Sequence, residues 1–134
     1  MFSHMFVGVA DFDRAYAFYT AVMGSLGHGQ RFYSAEEQWA GWHSADHVRP
    51  LFVIGKPFDG HAHVAGNGQM VAFLAADRAT VRRVYQAALE NGGRCEGPPG
   101  LRPQYHEHYY GAYFRDPEGN KLCVACHTPE PAAI

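Results

Sequence analysis

The side chains best suited to chemistry in this sequence are histidines and cysteines, because imidazole and thiolate groups act as metal ligands, acid–base groups and nucleophiles. The chain contains nine histidines and three cysteines. The histidines are His4, His28, His43, His47, His61, His63, His106, His108 and His127. Because they are scattered along the chain, we expect most of them to be ordinary surface residues. Three cysteines are too few for a disulfide framework, which fits a reducing compartment.

One short segment, Cys123-Val124-Ala125-Cys126-His127, matches the pattern of covalent haem attachment, and its Cys-x-x-Cys core also occurs in thiol oxidoreductases and zinc sites. The segment has the composition of a β-strand, in which residues three apart point to opposite faces. Cys123 and Cys126 can therefore neither close a disulfide nor share a metal ion without distortion. We predict no haem, and we expect each cysteine to be a small buried residue.

Polar and aromatic side chains are concentrated between Pro98 and Tyr113. Arginine suits a carboxylate or phosphate, tyrosine offers a flat face with a hydroxyl, and histidine moves protons near neutral pH. We predict substrate binding by Arg102, Tyr105, His106 and Tyr110. Tyr109 and Tyr110 must face opposite ways on a strand, and the sequence does not decide which of them lines the site. A solvated loop or a dimer contact rich in Tyr and Arg would have the same composition.

Two tryptophans, Trp39 and Trp42, flank an Ala-Gly pair in the first half of the chain. Trp39 is predicted to wall a pocket for a flat organic ligand, although a core role explains either residue equally well. The odd spacing places the two side chains on opposite faces of a strand. His61 and His63 fall in a segment that is expected to be a surface loop.

The composition describes one ordinary globular domain and excludes several functions. Of the 134 residues, 47% are hydrophobic and 18% are charged, and the net charge is -2. This balance gives no basic excess for nucleic acid or an anionic membrane, and Arg78, Arg82 and Arg83 form only a small exposed patch. The longest apolar runs have strand length, and the N-terminus lacks a signal-peptide pattern. We predict a soluble, cytoplasmic protein.

The two halves of the chain resemble each other at an offset of about 66 residues, found by inspection. The offset places Asp11 on Asp77, Tyr19 on Tyr85 and Gly27 on Gly93. We therefore predict a single domain, residues 1–134, with module one at about 1–57, a bridge at 58–67 and module two at about 68–127. The tail, residues 128–134, is expected to be mobile, and no role is assigned to it.

Each half is predicted to contain a strand, a helix and three further strands. Apolar residues at i, i+3, i+4 and i+7 predict helices at about Asp13 to Met23 and Asp77 to Asn91. The predicted strands are Met5 to Ala10, Gln30 to Ser34, Gln38 to His43, Leu51 to Ile54, Met70 to Ala75, Gly93 to Glu96, Tyr109 to Arg115 and Lys121 to Ala125. Asp116-Pro117-Glu118-Gly119-Asn120 predicts a hairpin turn before the last strand.

This doubled unit, with the early His4, the Phe18-Tyr19 pair on the first helix and the Asp116–Asn120 turn, resembles the vicinal-oxygen-chelate superfamily. That superfamily includes glyoxalases, bleomycin-resistance proteins and extradiol dioxygenases. The resemblance covers Phe2 to about His127. It implies an α+β fold in which two βαβββ modules form a cup-shaped mixed sheet with the helices outside.

The resemblance also implies a divalent metal at the cup floor, with ligands from the first and last strands of each unit. His4 stands at the first ligand position, and the other three positions are occupied by Phe52, Met70 and Cys123. Neither a thioether nor an aromatic ring is a ligand for the usual hard cation, and a thiol favours softer metals. A divalent metal is thus implied by the family but opposed by these residues, and no nucleotide cofactor is expected.

Two functions follow from the resemblance. The first is a lyase or isomerase that acts on a small oxygenated compound, in which a metal at the cup floor polarises vicinal oxygens and a neighbouring base moves a proton. The candidate catalytic residues are His4 and Cys123, which in a separate alternative would form a thiolate–imidazole pair. The second is a metal-free protein that sequesters a hydrophobic or aromatic molecule, with Arg102 and tyrosines giving selectivity and with Phe52 and Met70 among the binding residues. The partners expected are a small molecule and, by family habit, a second copy of the chain in a homodimer.

Overall fold

A computed structural model describes residues 1–131, so residues 132–134 of the predicted tail lie outside the described residues. The elements, in chain order, are β1 (His4–Gly8), α1 (Phe12–Leu26), β2 (Gly29–Ser34), β3 (Trp39–His43), β4 (Leu51–Gly55), β5 (Val71–Leu74), α2 (Arg78–Glu90), β6 (Arg94–Leu101), β7 (Tyr110–Arg115) and β8 (Lys121–Cys126). This order confirms the doubled strand–helix–three-strand unit. The longest helix, α1, has 15 residues, and within residues 1–131 no helix is long and apolar enough to cross a membrane.

Both helices form where their apolar stripes and capping residues place them. The Asp11 carboxylate accepts a hydrogen bond from the Arg14 N–H at 3.1 Å, so α1 begins one residue earlier than predicted. The helix ends at Gly27, whose φ of 82° lies in the left-handed region. Asp77 caps α2 through the Thr80 N–H at 2.7 Å. The buried stripes are Ala15, Phe18, Tyr19 and Val22 in α1, and Val81, Val84 and Ala88 in α2.

The eight strands form two four-stranded sheets. The first sheet has the order β1-β4-β3-β2 and the second has the order β5-β8-β7-β6. The first and last strands of each unit, β1 with β4 and β5 with β8, pair in parallel. All other pairings are antiparallel. The predicted α+β class with two modules and mixed sheets is therefore confirmed.

One strand is longer than the sequence indicated. Glu96 to Gly100 was expected to be a loop, but β6 continues through it to Leu101. Two register shifts allow Gly97 and Gly100 to pair with Tyr113 and Gly111 of β7. The two prolines of this segment are tolerated because β6 is an edge strand.

Each sheet packs one face against the helices and leaves the opposite face, called here the open face, without a helix. Val7, Phe52 and Ile54 of the first sheet belong to the core, as do Phe114, Leu122 and Val124 of the second. Strand alternation places the neighbouring residues on the open faces. Several of the large apolar side chains there are exposed, namely Phe6, Trp39, Met70 and Leu74.

The predicted turn from Asp116 to Asn120 is present and also joins the two units. Gly119 has a φ of 88°, which glycine adopts without strain. The Glu118 carboxylate accepts hydrogen bonds from the N–H groups of Ala10 at 2.9 Å and Asp11 at 3.0 Å, and it contacts Arg14 at 3.0 Å. The last hairpin of the second unit thus binds the start of α1 in the first unit.

This contact predicts a pH dependence of stability. Burial by itself would raise the pKa of Glu118, but the N–H groups of Asp11 and Ala10 and the Arg14 charge outweigh burial and lower it. A carboxylate with a lowered folded-state pKa stabilises the fold above its unfolded-state pKa, and this contribution is lost as the pH falls through the folded-state value. We expect Glu118→Gln to reduce the free energy of unfolding at pH 7 by about 1–2 kcal/mol.

Urea unfolding of wild type and Glu118→Gln between neutral and acidic pH measures this effect. The difference between the two proteins should shrink as the pH falls, while Glu36→Gln, a change at an exposed glutamate, should show no such trend. A constant difference at every pH would contradict the account.

Candidate functional site

Three side chains meet on the open face of the second sheet. Tyr113 of β7 is paired with Cys123 of β8, and the Tyr109 hydroxyl lies 2.9 Å from the Tyr113 hydroxyl and 3.5 Å from the Cys123 Sγ. Cys123 is fully buried. Burial raises the pKa of the Cys123 thiol, and its hydrogen bonds with the two tyrosines only partly oppose this. Burial also raises the pKa of Tyr109 and of Tyr113, so the group is uncharged at neutral pH.

Two cations flank this neutral group. The Arg102 guanidinium carbon lies 5.6 Å from the centroid of the Tyr113 ring, and the Lys121 Nζ lies 5.8 Å from it. Arg102 also donates a hydrogen bond to the Pro98 carbonyl at 2.8 Å. Within residues 1–131, no carboxylate lies within 4.0 Å of either cation. The patch formed by Arg102, Tyr109, Tyr113, Lys121 and Cys123, called here the cationic patch, therefore carries positive charge.

The segment between β6 and β7 is held in place by its own backbone. The Arg102 N–H donates to the Tyr109 carbonyl at 2.9 Å, and the Tyr105 N–H donates to the Arg102 carbonyl at 3.0 Å. The Tyr105 and Tyr109 rings lie 4.9 Å apart. The loop thus folds so that Tyr105 borders the cationic patch while remaining mostly exposed.

His106 contacts a second histidine at the end of the sheet. Its Nδ1 accepts from the His108 N–H at 3.1 Å, so its Nε2 is the donor to the His127 Nδ1 at 2.8 Å. The His127 ring also lies 5.2 Å from the Tyr109 ring. His106 therefore lies beside the cationic patch without contacting its cations.

Two predicted ligand-binding residues face the helices instead of the open face. Phe52 pairs with Met5 and packs against Tyr19 and Phe73, at 5.1 Å from each ring. In β4, the residues on the same face as His4 are Leu51 and Val53. They lie one residue before and one residue after Phe52, the predicted ligand position. Phe52 was assigned by matching Leu51-Phe52-Val53 to Leu122-Cys123-Val124, and this match is one residue out of register, because Phe52 faces the core and Cys123 faces the open side.

Tyr110 is the second misplaced residue. It pairs with Cys126 of the core face and packs under Arg78 and Arg82, whose guanidinium carbons lie 5.3 and 5.8 Å from its ring centroid. The choice between neighbours left open by the sequence is thus resolved: Tyr109 faces the open side.

The remaining candidates lie on the open faces but are not brought together. The His4 Nδ1 is 2.9 Å from the Ser3 Oγ, whereas the Cys123 Sγ contacts the Tyr109 hydroxyl. Within residues 1–131, therefore, no hydrogen bond joins His4 to Cys123, and the predicted thiolate–imidazole pair is not formed. Trp39 packs against Phe32 at 4.6 Å. Met70 is 44% exposed. Cys126 faces the core, as the strand alternation predicted.

Comparison with known proteins places this geometry in a family. Residues 1–124 match the model of the glyoxalase/bleomycin resistance protein/dioxygenase superfamily. A glyoxalase/bleomycin resistance protein from Albidiferax ferrireducens T118 is 35% identical, with a TM-score of 0.82 over 96% of this chain and 99% of that one. The chain belongs to this superfamily. None of the curated proteins compared with it matches significantly.

More distant structures share the fold alone. A family enzyme from Burkholderia phytofirmans PsJN is 17% identical, with a TM-score of 0.71 over 94% of this chain and 98% of that one. A lactoylglutathione lyase from Agrobacterium tumefaciens is 20% identical, with a TM-score of 0.65 over 94% and 92% of the two chains. At such low sequence identity, the likeness shows the shared fold and does not indicate which reaction, if any, this superfamily member catalyses.

The metal implied by the fold does not fit the residues of this superfamily member. Among residues 1–131, no three His, Cys, Asp or Glu side chains lie close enough to hold a metal ion. Leu51 and Val53, which share the face of His4, have no ligand atom, and Met70 offers only a thioether. The raised pKa of Cys123 opposes the thiolate that a metal would need.

Three members of the cationic patch were not predicted as a group from the sequence: Tyr109, Tyr113 and Lys121. The available signal was the spacing of the tyrosines: Tyr109 immediately precedes β7, and Tyr113, four residues further along, lies on the same face. Placing Lys121 required the β7–β8 register, which pairs it with Arg115, two pairs away from the Tyr113–Cys123 pair and on the same face of the sheet. That register is known only from the structure.

Proposed function

We propose that this superfamily member binds a small organic anion with an apolar or aromatic body at the cationic patch, without using a metal ion. The proposal rests on the position of Arg102 and Lys121, which both lie close to the Tyr113 ring of the neutral Tyr109–Tyr113–Cys123 group and have no carboxylate partner among residues 1–131. A carboxylate or related anion would pair with both cations and accept a hydrogen bond from a phenol.

The surroundings of the cationic patch favour an apolar ligand body. Tyr105 is 62% exposed, Met70 is 44% exposed and Leu74 is 71% exposed on the same side of the second sheet. A flat ring stacked on Tyr105 would cover apolar surface while its anionic group contacts Arg102. The charge of Lys121 contributes to the lowered pKa of Glu96, but the Glu96 carboxylate is already bound by Arg115 at 2.7 Å and does not compete for the site.

A second copy of the chain is the proposed partner. The open faces of both sheets carry exposed large apolar residues, including Phe6, Trp39 and Leu74. Exposed apolar surface of this kind is commonly buried in an interface. A homodimer that covers part of these faces would also enclose the ligand bound at the cationic patch.

A lyase or isomerase activity is the second candidate. It is favoured by the two phenolic hydroxyls of Tyr109 and Tyr113, which lie 2.9 Å apart beside the cations. Such donors stabilise negative charge that develops on a substrate oxygen. A binding protein would release its ligand unchanged, so the two functions differ in whether a bound compound is converted.

The proposal predicts a preference for anions over neutral compounds of the same shape. We expect 1-naphthoate to bind more tightly than 1-naphthalenemethanol, and we expect the preference to weaken as salt is added, because screening reduces the attraction to Arg102 and Lys121. Isothermal titration calorimetry at two salt concentrations measures both affinities. Equal affinities at low salt would contradict an anion site, and a product signal in NMR spectra of the mixture would favour the enzyme.

A further inference from the structure

A groove of about 790 Å³ lies away from the two tyrosines of the cationic patch, between the edge of β1 and the segment that connects the two units. Its apolar wall includes Met5, Phe6, Phe58, Val64, Met70 and Leu122. Phe58 and Val64 are almost completely exposed. The groove therefore has the size and the mostly apolar lining of a small-molecule site.

One polar side chain in this groove, His63, is oriented by a chain of hydrogen bonds. The Asn120 amide nitrogen donates to the Gly8 carbonyl at 3.0 Å and to Asp116 Oδ2 at 2.9 Å, so the Asn120 Oδ1 is an acceptor. The Oδ1 lies 3.0 Å from the His63 Nε2. The proton of the neutral imidazole is therefore on Nε2, and Nδ1 carries the free lone pair. The chain ends at Tyr19, whose hydroxyl donates to Asp116 at 2.5 Å.

Gly8 provides the space in which the His63 ring lies. A Cβ at this position would be 2.7 Å from the His63 Nδ1, which is closer than real contacts allow. Within residues 1–131, the hydrogen bonds of His63 involve Nε2 only. An oriented imidazole nitrogen with a free lone pair thus lies at the wall of the groove.

We propose that this groove binds a neutral aromatic molecule that carries one hydroxyl or N–H group, which donates a hydrogen bond to the His63 Nδ1. A neutral hydroxyl or N–H group suffices as this donor, because the Nδ1 of the neutral imidazole carries no charge. The aromatic body covers the apolar wall. Lys121 belongs to both the cationic patch and the groove, whereas Arg102, Tyr109, Tyr113 and Cys123 do not line the groove. The inference rests on His63 and does not require the anion site.

A matched pair of probes tests the hydrogen bond. 2-Naphthol and 2-methoxynaphthalene share a ring system, but only naphthol has a donor. In fluorescence titrations of the wild-type protein, we expect naphthol to bind about 2- to 12-fold more tightly, the range of one neutral hydrogen bond. His63→Leu should abolish this preference, whereas His61→Leu, a change at an exposed neighbouring histidine, should retain it.

Equal affinity of the two probes in the wild-type protein, or an unchanged preference in His63→Leu, would overturn the inference. Proton–nitrogen NMR of the labelled wild-type protein gives a second test that needs no variant. The spectra should show a proton on the His63 Nε2, and the Nδ1 resonance should shift with naphthol but not with methoxynaphthalene. A proton on Nδ1 would contradict the proposal. The proposal would also be contradicted if naphthol binding weakened as the protein self-associates, because a second copy of the chain would then occupy the groove.

Discussion

Replacing Arg102 with alanine is expected to weaken the binding of 1-naphthoate by about 1.5–3 kcal/mol, the range of a charge-assisted hydrogen bond. This corresponds to an increase in Kd of about 10- to 150-fold. The guanidinium has no carboxylate partner among residues 1–131, so its charge is available to a ligand. Lys121→Gln should act in the same direction, with a smaller effect because an ammonium group cannot bind a carboxylate through a planar pair of donors.

Matched controls separate this effect from a general change in charge. Arg31→Ala and Lys56→Gln remove the same charges from exposed positions in and next to the first sheet. We expect both controls to bind 1-naphthoate with wild-type affinity, and the affinity of 1-naphthalenemethanol should change little in any variant. If Arg102→Ala bound naphthoate as tightly as wild type, Arg102 would not belong to the ligand site.

Replacing Asp116 with alanine is expected to cause the largest loss of stability. Asp116 is 2% exposed, and its carboxylate accepts hydrogen bonds from the Tyr19 hydroxyl, the Asn120 side chain and the N–H groups of Glu118 and Asn120. Its removal leaves buried donors without an acceptor, at a cost of about 3 kcal/mol or more. For a chain of this length the Tm should fall by about 10 °C.

Thermal unfolding followed by circular dichroism measures the difference. Tyr19→Phe removes only one of these hydrogen bonds and should cost less, because the aromatic packing with Phe18 and Phe52 is retained. Asp46→Ala, at an exposed position, should leave the Tm nearly unchanged. A Tm of Asp116→Ala within 2 or 3 °C of the wild-type value would show that the hairpin does not hold the two units together.

Much of the fold could be predicted from local patterns. The apolar stripes of α1 and α2, the capping aspartates Asp11 and Asp77, and the turn from Asp116 to Asn120 depend on residues close together in the chain. The structure confirms each of them. The internal repeat then indicated how often the unit occurs. These features are set by backbone geometry and burial within one element, so a single sequence contains the information.

The site could be predicted only in part because it depends on the register between strands. Arg102 and Tyr105 stand out by type, but placing Tyr109 instead of Tyr110 on the open face requires the β7–β8 pairing. Phe52 was misplaced because a shift of one residue reverses the face of a strand side chain. His63 lies in a connecting segment, where its contact with Asn120, 57 positions away, has no local signal.

The central claim is that two side-chain cations, rather than a metal ion, bind the anion. The most direct test is calorimetric titration of 1-naphthoate into three samples: chelator-treated protein, protein incubated with zinc, manganese, nickel or iron and desalted, and an Arg102→Gln/Lys121→Gln double variant. Elemental analysis of each sample gives its metal content. We predict equal affinities in the first two samples and no measurable binding in the third. Binding that requires about one equivalent of a retained cation, and that His4→Ala abolishes, would contradict the account and assign the site to a metal.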